Sequence, residues 1–119
     1  MADPKGLDGR AIAERLRRAL RRELAALPEP PRLAILSFDA PASALYLKAQ
    51  QAQAEALGIR TRGHQCTIDA PQTEVDAVIQ RWNDDPGIHG IFVHQPMPAH
   101  IDAQRVSALI DPRKDVEGI

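Results

Sequence analysis

The chain has 119 residues, 44% of them hydrophobic and 26% charged, with a formal net charge of −1. That length suits one domain able to bury a core, and the near-neutral balance excludes any global attraction to nucleic acid or an anionic membrane surface. Aromatics make up only 3% and Cys66 is the single cysteine, so aliphatic side chains must fill the core, no internal disulfide can form, and a cytoplasmic, reducing setting is expected.

No apolar run reaches the roughly 18 residues of a membrane span, and no signal peptide is read ahead of the first helix. After a lead containing Pro4 and Gly6, Asp8 is placed to cap a helix over residues 9–27. Ile12, Leu16, Leu20, Leu24 and Leu27 form its apolar stripe. Arg15, Arg17, Arg18, Arg21 and Arg22 coat the other faces, either as an anion patch or, balanced by Glu14 and Glu23, as a solvated surface. Pro28, Pro30 and Pro31 stop this helix.

Residues 33–36 are a continuous apolar run between breakers, which predicts a buried parallel strand. A loop over 37–43 leads into a helix that ends at Gly58, a natural C′ residue. Ser43, Tyr46 and Gln50 are spaced by three and four and share one face of it; Leu45, Ala49, Ala52 and Ala56 form an adjacent apolar and small face, completed by Leu57. Lys48 points roughly 160° away from Tyr46. The polar stripe is either a site or a solvated face.

Residues 59–68 read as a second strand, in which Cys66 is a small buried residue. A helix over 72–84 follows, with Val75, Val78, Ile79 and Trp82 as its core side. Residues 90–93 are a third buried strand, and the two prolines of His94-Gln95-Pro96-Met97-Pro98 end it. Asp102 is placed to cap a short helix over 103–110. The alternation predicts an α/β fold, a three-layer sandwich with a small, mainly parallel sheet flanked by helices. In such folds the loops leaving the strands' C-terminal ends build the binding crevice. Here these are 37–43, 67–73 and 94–101, which bring Tyr46, Gln50, His94 and Gln95 around one cleft. No cluster is spaced for a structural zinc, and no metal site is expected. No Gly-rich phosphate loop or GxGxxG is present, so a nucleotide site within these residues is not expected.

With those loops placed, the sequence resembles the N-terminal, folate-binding catalytic domain of the bifunctional methylenetetrahydrofolate dehydrogenase/methenyltetrahydrofolate cyclohydrolase family. The likeness rests on four ordered stretches: Leu7 to Ala13; Pro41-Ala-Ser43-Ala-Leu-Tyr46 followed by Gly58-Ile59; Asn83 to Pro98; and Pro112-Arg-Lys114-Asp115-Val-Glu117-Gly118. It implies that residues 1–119 form one such domain. It also implies a multifunctional enzyme of one-carbon metabolism and purine biosynthesis that oxidises 5,10-methylenetetrahydrofolate and hydrolyses the methenyl product to 10-formyltetrahydrofolate. NADP or NAD would be bound by a Rossmann domain that this chain does not contain and that would join it in cis or in trans. The implied partners are a tetrahydrofolate derivative and that domain, with a homodimer as a further possibility.

Carried over residue by residue, the family's pocket Tyr is Tyr46, and Pro96 and Pro98 belong to its substrate-lining proline loop. The family's proton-transferring Lys falls at Gln50, which cannot titrate. The Gln that tunes that Lys falls at His94, Gln95 replaces an apolar residue, and the pterin-holding Asp falls at Glu117. The family's Val-Gly before the first crevice loop is Ser37-Phe38. The resemblance thus assigns Tyr46, Gln50 and His94 to catalysis and Tyr46, Gln95, Pro96, Pro98 and Glu117 to substrate binding. His94 reads either as a replacement base, since histidine titrates near neutrality, or as a plain polar loop residue. Three readings stand: an enzyme of the family type, a non-catalytic folate- or pterin-binding paralogue, and an interaction module without a ligand.

Overall fold

The computed structural model describes Arg18 and residues 29–116. The body of the helix expected over 9–27, with its Arg-rich faces, and the site position Glu117 lie outside the described residues. The elements are β1 (Arg32–Phe38), α1 (Pro41–Ala56), β2 (Arg60–Cys66), α2 (Gln72–Asp84), β3 (Gly90–Val93) and α3 (Ala103–Leu109).

The three strands form a parallel sheet in the order β2-β1-β3. The central strand β1 is buried from Leu33 to Phe38 because both of its faces are covered, which is why its sequence is a continuous apolar run instead of an alternating one. Side chains alternate across it. Leu33 and Ile35, with Phe92 of β3, pack against Ala54 of α1 and against Ile59. Ala34, Leu36 and Phe38, with Ile91 and Val93, pack against Val75, Val78, Ile79 and Trp82 of α2 and Val106 of α3. The result is the expected three layers, α1 on one side of the sheet and α2 with α3 on the other. No described helix is long and apolar enough to cross a membrane.

Two expectations are corrected here. β1 continues through Ser37 and Phe38, where the sequence reading expects the following loop; they pair with Gln65 and Cys66 of β2. Inter-strand pairing extends the strand past its last aliphatic residue. The second correction concerns α1. Its adjacent apolar and small face is turned outward: Leu45 is 75% exposed, and Ala49, Ala52 and Ala56 are exposed. The face against the sheet carries Gln50 and Ala54, both buried, with Leu47 and Leu57 partly buried against the core. Alanines bury little area each, so they give a weak bias. Leu47 and Leu57, spaced with Ala54 at helical intervals, decide the rotation and bring Tyr46 and Gln50 inward with them.

The helix ends match simple chemistry. Gly58, at φ +80°, turns the chain out of α1 in a left-handed conformation open to glycine. Asp102 caps α3, its side chain accepting from the Arg105 amide at 3.1 Å. The C-terminal end of α2 is closed by Lys114, whose Nζ donates to the carbonyls of Trp82, Asn83 and Asp85 at 2.8, 2.9 and 2.8 Å. That clamp sets the last described segment beside β3, where the Ile91 amide donates to the Lys114 carbonyl at 2.7 Å.

Candidate active site

The candidate site lies at the C-terminal ends of the strands, on the α1 side of the sheet. His94 follows β3 directly, and its amide donates to the Leu36 carbonyl at 2.9 Å. This keeps His94 in register with β1 and, two residues beyond Phe92, on the face that α1 covers. Ser37 occupies the same face of β1, two residues beyond Ile35.

From α1, Gln50 reaches this point one turn after Tyr46. Its Oε1 accepts a hydrogen bond from His94 Nε2 at 2.5 Å, across 44 positions of sequence. A carboxamide oxygen only accepts, so the hydrogen sits on Nε2 and the lone pair of the neutral ring is on Nδ1. The Tyr46 ring tilts over the imidazole with centroids 5.3 Å apart, and Phe92 meets it edge-on at 5.9 Å. Gln50 is 1% exposed and His94 4%. Burial lowers the His94 pKa from the usual 6.5, because desolvation disfavours the imidazolium. At neutral pH the ring is therefore a neutral, oriented base.

Two buried polar atoms here have no hydrogen-bond partner, Gln50 Nε2 and Ser37 Oγ. Buried polar groups are nearly always satisfied, so each of these two atoms retains capacity for a further hydrogen bond. Ser37 is the residue that sequence reasoning left out of the site. The available signal was a hydroxyl in the odd-numbered, α1-facing row Leu33, Ile35, Ser37, legible only once the strand is known to run that far.

Of the other expected residues, Gln95 and Pro96 are exposed at the rim, joined by a cis peptide bond, and Pro98 is half-buried. Met97 between them anchors the loop in the α2-side core. His100 Nε2 donates to the Ala70 carbonyl at 2.7 Å, tying the proline loop to the loop after β2. Lys48 is exposed on the outer side of α1, away from the group. The structure thus brings Tyr46, Gln50 and His94 together, with Gln95, Pro96 and Pro98 in the loop that follows His94.

The chain's sequence matches the model of the tetrahydrofolate dehydrogenase/cyclohydrolase catalytic domain over residues 7–117. The chain belongs to this family. Among curated relatives of the tetrahydrofolate dehydrogenase/cyclohydrolases, the bifunctional protein FolD of Acidiphilium cryptum is 41% identical over 113 residues, covering 94% of this chain and 40% of the relative. That of Chlamydia felis is 37% identical over 114 residues, with 95% and 40% covered. The crystal structure of the bifunctional FolD dehydrogenase/cyclohydrolase from Campylobacter jejuni superimposes with a TM-score of 0.73 at 31% identity, covering 92% of this chain and 40% of that one. The Trypanosoma brucei dehydrogenase-cyclohydrolase, solved with NADP and an inhibitor, matches with a TM-score of 0.68 at 28% identity over 92% of this chain and 39% of that one. This member of the family therefore spans about 40% of the length of the relatives it matches.

Proposed function

We propose that this chain is the folate-binding, catalytic part of a cytoplasmic methylenetetrahydrofolate dehydrogenase/methenyltetrahydrofolate cyclohydrolase acting in one-carbon metabolism, and that His94 serves as its base. The observation that carries this reading is the Gln50–His94 hydrogen bond beneath Tyr46. A base needs a neutral nitrogen near the reacting atoms and a second group that orients it. Gln50 supplies the orientation through Oε1, and the accepting atom of His94 is Nδ1.

In methenyl hydrolysis, water adds to the electrophilic carbon bridging N5 of the pterin and N10 of the aminobenzoate arm. His94 Nδ1 takes the proton that water gives up, and the resulting imidazolium is held by Gln50 Oε1. The same proton returns to N5 as its bond to that carbon breaks, and the remaining hydroxyl proton leaves to solvent as the C=O of the formyl group forms on N10. Tyr46 would cover the pterin on one side. Gln50 Nε2 and the Ser37 hydroxyl, without protein partners, would bond the ligand, Gln95, Pro96 and Pro98 would contribute the rim, and the family resemblance adds Glu117 as a substrate-binding residue. Hydride transfer needs a nicotinamide. The described residues form a three-stranded sheet, and the chain has no Gly-rich turn to cradle a pyrophosphate. NADP does not fit among this chain's own residues and would be presented by a Rossmann domain in cis or in trans.

The test is methenyltetrahydrofolate hydrolysis by the full-length protein. His94→Ala should lower kcat by about 10²- to 10⁴-fold, the usual span for a positioned base, and Tyr46→Ala should weaken folate binding in a calorimetric titration. Unchanged turnover in His94→Ala would refute His94 as the base. A second reading, folate or pterin binding without turnover, is favoured by one observation: Gln50, which cannot titrate, stands at the family's Lys position. On that reading the unmodified protein binds folate and is inactive, and Gln50→Lys gains activity; on the first, Gln50→Lys loses it by breaking the bond to His94.

A further inference from the structure

On the opposite face of the sheet, away from His94, a second cluster of functional groups is assembled by different elements. His64 and Cys66 are two residues apart in β2, so their side chains leave the same face of the strand. Their partners across the ladder, Leu36 and Phe38, belong to the α2-side core, as does Cys66 itself. Glu74 projects from the first turn of α2. One imidazole nitrogen, the Cys66 sulfur and one Glu74 carboxylate oxygen all lie within 4.8 Å of one another.

We propose that His64, Cys66 and Glu74 form a site for a divalent transition metal of borderline softness, Zn²⁺ in the first instance. Sulfur, imidazole nitrogen and carboxylate oxygen together are the donor set that such an ion takes in tetrahedral geometry. Donor atoms of a tetrahedral zinc site stand about 3.5 Å apart, given Zn–S near 2.3 Å and Zn–N near 2.1 Å. At its widest the cluster therefore has to contract by about 1.3 Å, a shift on the scale of a side-chain torsion change. Cys66 is held in place by its burial at 1% exposure. The His64 ring leans edge-on against Trp82, with centroids 6.5 Å apart. A hollow of about 280 Å³ lined by Arg62, Gly63, His64, Arg81, Trp82 and Asp85 adjoins the imidazole. The Arg62 charge in that hollow is partly offset by Asp85 at 3.5 Å.

The Cys66 thiol is pushed up to about 11, first by burial and then by the Glu74 carboxylate beside it. Without metal it stays a thiol; an arriving cation displaces that proton and takes the sulfur and the carboxylate together. Three protein ligands leave a fourth position for water. The bound ion would join the end of β2 to the start of α2 and so brace the 67–71 loop, which His100 already ties to the proline loop.

Cobalt(II) reports such a site directly. The untagged full-length protein, kept reduced with a phosphine, is titrated with Co²⁺ and then with Zn²⁺. The expected result is a near-ultraviolet thiolate-to-cobalt charge-transfer band that saturates at one equivalent and is bleached by Zn²⁺. Cys66→Ser should abolish the band. His64→Ala and Glu74→Gln should each weaken cobalt binding by at least about tenfold, since even outer-shell changes cost 10–100-fold. Glu74 is exposed, so Glu74→Gln reads coordination and not core packing. Absence of the band in the folded wild-type protein overturns the proposal. So does a band of the same affinity in His64→Ala and Glu74→Gln, which would mean that Cys66 binds cobalt alone.

Discussion

The side chain on which most depends is His94. It is buried, hydrogen-bonded through Nε2 and neutral at physiological pH. Its pKa is lowered in the folded state and ordinary, near 6.5, in the unfolded chain. Below 6.5 the unfolded chain therefore takes up a proton before the folded protein does. The stability tied to His94 is fully present above 6.5, falls as pH drops toward the lowered folded value, and levels off below it. His94→Gln removes that titration while leaving an amide able to reach Gln50. Urea midpoints measured from about pH 7.5 to 5 should fall more steeply for the wild type than for His94→Gln. Because His64, His89 and His100 are present in both proteins, their contributions cancel in the comparison. Parallel slopes would contradict the buried, neutral assignment.

Between elements, single polar side chains do much of the joining. Lys114 gathers three carbonyls at the C-terminal end of α2, where a cation is also favoured by the helix dipole. Burial lowers its pKa, opposed by Asp111 and Asp85. Lys114→Met keeps much of the apolar stem and removes the donors. It should destabilise the protein by about 2 kcal/mol, the scale of hydrogen bonds made by a charged group, and loosen the segment that leads to Glu117. Denaturant unfolding checks the first effect. Hydrogen exchange at the Ile91 amide, which donates to the Lys114 carbonyl, checks the second. Asp102→Ala, by contrast, removes one cap from an exposed helix start and should cost about 1 kcal/mol.

The same scale shows what could be read from residue order. The strands at 33–36 and 90–93, the core side of α2 and the Asp102 cap were legible because period, breakers and capping chemistry agree there. The rotation of α1 was not. In a helix whose small residues lie on several faces, the orientation is chosen by Leu47, Ala54 and Leu57 meeting the sheet, a tertiary choice. Tyr46 and Gln50 were legible as a pair by spacing, and His94 as a loop residue near them. The bond between Gln50 and His94 joins positions 44 apart and depends on β3 lying beside β1. The ligand group His64, Cys66 and Glu74 was hidden for the same reason, since a strand and a helix supply it without any local motif.

For the molecule as a whole, the three-layer arrangement puts the candidate site where α1, the end of β1 and the proline loop converge, with two unsatisfied buried atoms among its side chains. A ligand that satisfies Gln50 Nε2 and Ser37 Oγ binds the folded state alone, because the unfolded chain does not hold those atoms together. It must therefore raise stability by mass action, by about 2.7 kcal/mol at a hundredfold excess over Kd. For a domain of this size that is an upward shift of roughly 10 °C in Tm. A stable tetrahydrofolate analogue should produce it in the wild-type protein. Ser37→Ala should keep the fold, lose part of the shift, and be no less stable without ligand, because it deletes a hydroxyl that has no protein partner. Tyr46→Ala should lose most of the shift. If the analogue stabilises Ser37→Ala and the wild type equally at every concentration, Ser37 lies outside the ligand's reach, and the pocket is closed by the proline loop and Tyr46 without the end of β1.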